Sequence, residues 1–183
     1  MQKTGLVVLS LLLFATLASA QVPTSGNVFF GYSYYSTDLS AGNRVNANGW
    51  EASAEGKILP FLGIVGDFDA HYGSANFVTV CPSGGVCTLN TGFAEHNYLF
   101  GPRVSVSIGK IRPFAEVLIG AAHVNVNNGF GSDTSFGDAI GGGVDYKFFH
   151  LLGWRLKFDD VQSRLLGTTQ NNVRISTGIV VRF

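Results

Sequence analysis

From Asn27 onward the chain alternates apolar and polar residues with a period of two, interrupted at intervals by turn-forming clusters. That period places successive side chains on opposite faces of a strand. It predicts eight strands, over residues 27–37, 49–58, 62–73, 93–108, 111–125, 136–148, 152–163 and 172–183. Short connectors fall near Leu59-Pro60-Phe61, Gly109-Lys110 and Phe149-His150-Leu151. Long ones cover 38–48, 74–92 and 126–135, with a shorter fourth at 164–171. Each strand is long enough for the roughly 9–11 residues of a tilted bilayer crossing. An even strand count, with short turns at one end and longer loops at the other, is the pattern of an antiparallel up-and-down transmembrane β-barrel. The expected fold is therefore all-β, an eight-stranded barrel in a single domain.

The two faces of these strands differ sharply. One carries Val28, Phe30, Tyr32 and Tyr34, then Trp50, Ile58, Leu62, Ile64, Phe68 and Tyr72. It continues through Tyr98, Phe100, Val104, Val117, Ile119, Ile140, Val144, Tyr146, Trp154, Leu156 and Phe158 to the last strand. The other carries Glu51, Glu55, Lys57, Asp67, Asp69, Glu95, Arg103, Arg112, Glu116, Asp145, Lys147, Arg155, Lys157, Asp159, Arg174 and Arg182. Those are eight acids and eight bases. An even balance suits an enclosed space, where an uncompensated charge is very costly.

Alternation alone does not say which face is inside. A soluble eight-stranded barrel of the lipocalin kind has the same period, with charges outward around an apolar cavity. Three features favour charges inward. The charged face also holds small residues such as Gly31, Ser33, Ser53, Gly63, Gly101 and Gly143, as a narrow lumen requires. The apolar face is broad and aromatic around all eight strands, and the sequence closes on Phe183. Composition agrees: 46% of residues are hydrophobic and only 13% charged, against about 25% charged in an ordinary soluble domain. Net charge is zero, and without a basic cluster a nucleic-acid partner is not expected.

The ends of the chain point the same way. Lys3, the apolar run Leu6–Leu17 and Ala18-Ser19-Ala20 make a cleavable export signal. Residues 1–20 are thus expected to be a signal peptide and 21–183 the barrel. In the last strand Val173, Ile175, Thr177, Ile179, Val181 and Phe183 share one face. This ending resembles the C-terminal signal of outer-membrane barrels, read by the barrel-assembly machinery, with Ile179, Val181 and Phe183 carrying it.

A resemblance covers essentially the whole of 21–183. Its segments are Phe29-Phe30-Gly31-Tyr32-Ser33-Tyr34, Gly49-Trp50-Glu51-Ala52-Ser53 and Leu62-Gly63-Ile64-Val65-Gly66-Asp67-Phe68. Leu99-Phe100-Gly101-Pro102-Arg103, Arg112-Pro113-Phe114-Ala115-Glu116 and Gly141-Gly142-Gly143-Val144-Asp145-Tyr146 follow, with the run from Arg174 to Phe183. Together they resemble the outer-membrane protein β-barrel domain family, which includes the eight-stranded transmembrane barrel of outer-membrane protein A. The resemblance implies residence in the cell outer membrane among outer-membrane lipid. No peptidoglycan-binding domain is expected here, so a wall-tethering role does not carry over.

Candidate chemistry is sparse. Cys81 and Cys87 flank Pro82-Ser83-Gly84-Gly85-Val86; in an exported chain this predicts a disulfide. His71, His96 and His123 lie near the expected outer rim, with Ser74, Asp133 and Ser135 nearby. No nucleophile elbow accompanies them, and neither an enzyme nor a cofactor or metal is expected. The lumen charges read either as structural bridges that plug the barrel or as a gate for small ions, with Glu116, Arg103 and Arg112 as its first candidates. The bridging reading is preferred. Function is then expected from the outer loops, where Leu39, Phe77, Val78, Val80, Phe130 and Phe136 would meet an extracellular partner. A narrow pore and a soluble ligand-binding barrel are the alternatives.

Overall fold

The computed structural model describes residues 25–40, 43–81, 84–127, 131–165 and 169–183. The expected signal peptide and Phe130 lie outside these residues, as do the side chains of Leu39, Phe77 and Val78. Eight strands follow one another: β1 (Gly26–Ser40), β2 (Asn43–Leu59), β3 (Leu62–Val80), β4 (Val86–Ser105), β5 (Ile111–Val126), β6 (Gly131–Lys147), β7 (Leu152–Ser163) and β8 (Gln170–Arg182). Each pairs antiparallel with the next, and β8 returns to β1 to close a barrel. Gly26 and Phe183 exchange backbone hydrogen bonds of 2.9 and 3.1 Å at that seam.

The register staggers steadily around the wall. From Gly26 it runs through Gly56, Ile64 and Pro102 to Val117, Ile140, Asp160 and Val173, and regains β1 at Ser36. That is ten residues farther along the strand. A stagger of this size tilts the strands roughly 40° from the barrel axis and leaves an interior that side chains fill.

The outer surface is apolar where a soluble protein would be polar. Phe30 is 62% exposed, Phe100 58% and Phe158 55%. Toward the hairpin end, outward positions turn polar at Asn48, His96, His123, Asp138, Asp160 and Asn171. Just inside that boundary lie Tyr32, Trp50, Tyr72 and Tyr98. Phe61, Tyr146, Phe148, Phe149, Trp154 and Phe183 ring the short-turn end. Two aromatic girdles around an apolar band are what a lipid bilayer requires of a barrel exterior. The charges face inward, against the soluble-barrel alternative.

Three expected loops are shorter than the sequence pattern indicates. β1 and β2 run to Ser40 and from Asn43, where a loop over 38–48 was expected, and β5 and β6 extend to Val126 and from Gly131. The largest difference lies between β3 and β4. Residues 74–92 were expected as a loop, yet they pair in register from Ala75↔Thr91 to Val80↔Val86. Beyond the bilayer both faces of a strand meet water, so alternation fades while backbone pairing persists.

Candidate functional site

The interior is built from the inward-facing half of each strand. Lys157 of β7 reaches across the barrel, with its Nζ 2.6 Å from Asp67, 2.7 Å from Glu116, 2.8 Å from Glu51 and 3.2 Å from Asp159. Arg174 of β8 lies 2.9 Å from Asp67 and 2.8 Å from Asp159, and also contacts Asp69. Ser176 donates to Glu51. These groups are fully or almost fully buried.

Toward the short-turn end Arg103 donates from Nε to Glu116 at 2.6 Å and lies 3.3 Å from Glu55. Glu55 also holds Arg112 at 3.2 Å and Lys57 at 3.5 Å. Arg155 and Arg182 share Asp145, at 2.6 and 3.1 Å. Asn27 joins the two groups, donating to Glu55 at 2.6 Å and accepting from Arg155 at 3.0 Å. Phe29 and Phe114 fill the gaps as apolar bricks. The Arg103 and Arg155 guanidiniums lie over the Phe114 ring, 4.5 and 4.7 Å from its centre. A Cβ on Gly143 would come 2.8 Å from that ring, so a small residue there is a packing requirement.

Two of the residues grouped by sequence stand apart. Lys147 has the parity of the lumen face but lies exposed at the end of β6, beyond the last ring of the wall. Glu95 is buried, but its partner is a phenol: Tyr35 donates to it at 2.8 Å. What remains is seven acids and seven bases, each within 4.0 Å of an opposite charge. The balance survives because one of each sign drops out. Arg103 and Glu116 do meet; Arg112 goes to Glu55 instead.

The histidines fall in unlike places. His96 and His123 face outward, and His123 contacts Thr134 at 2.6 Å. His71 is inside, with Nε2 2.8 Å from Ser33 Oγ and Nδ1 3.0 Å from Asp69 Oδ1. Neither Ser74, Asp133 nor Ser135 is its partner. The order Asp–His–Ser is that of a hydrolytic triad, but the group is enclosed. Tyr35 stacks on the imidazole at 4.4 Å, and Ser33 is fully buried against Ser176 Oγ at 2.9 Å. A nucleophile needs an approach path as well as a base. Among the described residues no cluster of three His, Cys, Asp or Glu is arranged to hold a metal.

Above the charged network, toward the long hairpins, apolar side chains join buried polar ones such as Thr37, Thr91, Gln170 and Asn172 in the lumen. Ala47, Phe93, Ala122, Val124, Val126 and Leu165 belong to one buried cluster there. β3 and β4 then continue past their neighbours. Pairing of β2 with β3 stops at Ala47↔Gly73, and pairing of β4 with β5 at Phe93↔Val126. Asn127 N still donates to Gly92 O at 3.0 Å and Ala75 and Thr91 are buried, and residues 76–80 and 86–90 extend beyond them as a two-stranded ribbon. Its tip turns through Gly84 and Gly85, at φ +80° and +97°, and is closed by the Cys81–Cys87 disulfide with Cα atoms 5.4 Å apart. Val80 and Val86, opposite each other, are 79% and 77% exposed.

Many solved structures are similar to this architecture. Neisserial surface protein A aligns with a TM-score of 0.65 at 12% identity, covering 86% of this chain and 97% of its own. Ail, the attachment invasion locus protein of Yersinia pestis, solved with the heparin analogue sucrose octasulfate, gives 0.58 at 15%, covering 87% and 98%. The N-terminal β-barrel domain of Pseudomonas aeruginosa OprF gives 0.51 at 13%, covering 86% and 99%. The chain has the fold of the bacterial outer-membrane β-barrels. No protein-family profile and no curated protein matches its sequence. This fold, together with the lipid-facing belt, makes it an outer-membrane protein.

Proposed function

We propose that this protein is a plugged outer-membrane barrel that works at the cell surface, through contact of its β3–β4 ribbon with an extracellular partner. The ribbon carries this reading. It projects beyond the described pairing of its neighbours, its tip is cross-linked, and it presents exposed valines at that tip. A projecting, cross-linked ribbon with an apolar tip offers a partner a rigid surface held clear of the barrel. Two of the similar structures are named as a surface protein and an attachment protein. A polyanion such as the heparin analogue in Ail fits this chain less well. The sequence offers only Arg44 and Arg164 as lysine or arginine toward the hairpin end.

The interior supports the plugged reading, since paired charges and the apolar cluster above them occupy it. Export by residues 1–20 and insertion by the barrel-assembly machinery, reading Ile179, Val181 and Phe183, belong to the same proposal. All three are outward-facing and exposed, with Phe183 at 61%.

Replacing residues 76–90 by an Asn-Gly turn removes the ribbon and spares the barrel. Both proteins, in lipid nanodiscs, would be tested on an array of extracellular-matrix and serum proteins. Capture by the full chain and not by the trimmed one is expected. Equal capture by both, or none by either, would remove the ribbon's role.

A further inference from the structure

At the opposite end of the barrel the charge ledger leaves a remainder. Lys57, Arg103, Arg112, Arg155 and Arg182 are taken up by Glu55, Glu116 and Asp145. Lys110 and Lys147 have no ion pair among the described residues, and both are exposed. The fold brings them together. Gly109, at φ +62°, turns β4 into β5, and the Lys147 amide donates to the Lys110 carbonyl at 2.8 Å. Between this turn and the β6–β7 turn lies a cavity of about 450 Å³, lined by Gly109, Lys110, Lys147, Phe148, Phe149 and His150. No carboxylate lines it.

Its surroundings are apolar. Phe148 is 53% exposed, Phe149 69% and Ile108 66%. Short turns of such barrels lie on the periplasmic side, level with the headgroups of the inner leaflet. Two ammonium groups above an apron of phenylalanines match a molecule with a phosphate at one end and acyl chains at the other. Lysine binds phosphate as a point charge without demanding one bidentate orientation. We propose that this periplasmic pocket holds an anionic phospholipid of the inner leaflet, its phosphate between Lys110 and Lys147 and its chains against Phe148 and Phe149. This does not rest on the ribbon, which lies at the other end of the barrel.

The test is competitive lipid retention. Protein extracted from membranes in mild detergent would be offered phosphatidylglycerol and phosphatidylcholine with identical acyl chains, and bound lipid counted by native mass spectrometry. The wild type is expected to prefer phosphatidylglycerol. Each lysine near an anionic lipid is worth about a fivefold factor, so Lys110→Ala with Lys147→Ala should reduce the preference roughly thirtyfold. A heat-dependent gel shift verifies that the variant barrel is folded. Arg44→Ala with Arg164→Ala, at the other end, should leave the preference unchanged. Equal retention of both lipids by the wild type, or the same loss in the Arg44/Arg164 variant, would overturn the site. Displacement of the lipid by millimolar inorganic phosphate would show a phosphate site that does not read acyl chains, against the lipid assignment.

Discussion

At the scale of single residues the interior turns on Lys157, one ammonium group shared among four carboxylates from β2, β3, β5 and β7. A buried ion pair is weak evidence of net stability, because desolvation offsets most of its Coulomb gain. Removing one partner is another matter, since it strands the rest. Lys157→Met keeps the length and volume but leaves Glu51, Asp67, Glu116 and Asp159 with arginine as their only charged partner. It should cost about 3–5 kcal/mol, read as a lowered urea midpoint for the gel-shifted form in lipid vesicles. An unchanged midpoint would mean the network is dispensable. The parity of residues 155, 157 and 159 makes their inward orientation legible in sequence. Which carboxylates Lys157 meets is not legible, because partners across a lumen depend on the ten-residue stagger, and no local pattern encodes that. Lys147 shows the complementary gap: alternation assigns its face but not the height at which the wall ends.

At the scale of elements, the strands and their order could be read wherever lipid lies on one side and lumen on the other. Above the girdle the two faces become alike, and the reading fails at Gly73. The β3–β4 ribbon is the consequence. Asn76 and Asn90 bond side chain to side chain across it at 2.9 Å, and its tip pairs Cys81 N with Gly85 O at 3.0 Å. Val80, Val86 and Leu89 of the ribbon are exposed, so it has little apolar burial to hold it and the cross-link is expected to matter locally. Closing a loop of this size contributes about 2 kcal/mol in the entropic view. Cys81→Ser with Cys87→Ser should therefore leave the barrel's unfolding unchanged while making residues near the tip sensitive to limited proteolysis. Cleavage would be mapped by mass spectrometry. A tip as resistant as the wild type's would show that strand pairing alone suffices.

At the scale of the whole molecule, the question is whether water and ions can pass. On the proposed plugged reading the lumen has two barriers in series. The first is the charge network, in which Arg103–Glu116 and Lys157–Glu116 join the two halves. The second is the apolar cluster of Phe93, Val124, Val126 and Leu165 above it. A gate made only of ion pairs opens when a partner is removed. A hydrophobic constriction in series does not, because a narrow apolar passage excludes water whatever the charges below it do. Planar-bilayer recordings separate the two cases. The wild type is expected to be silent after verified insertion, and Glu116→Gln, which loosens the first barrier, is expected to be silent too. Glu116→Gln combined with Phe93→Ala and Leu165→Ala breaches both barriers and should give discrete conductance steps. Steps from the wild type alone would make the lumen a pore and the charged network its lining, and the plugged reading would then fall.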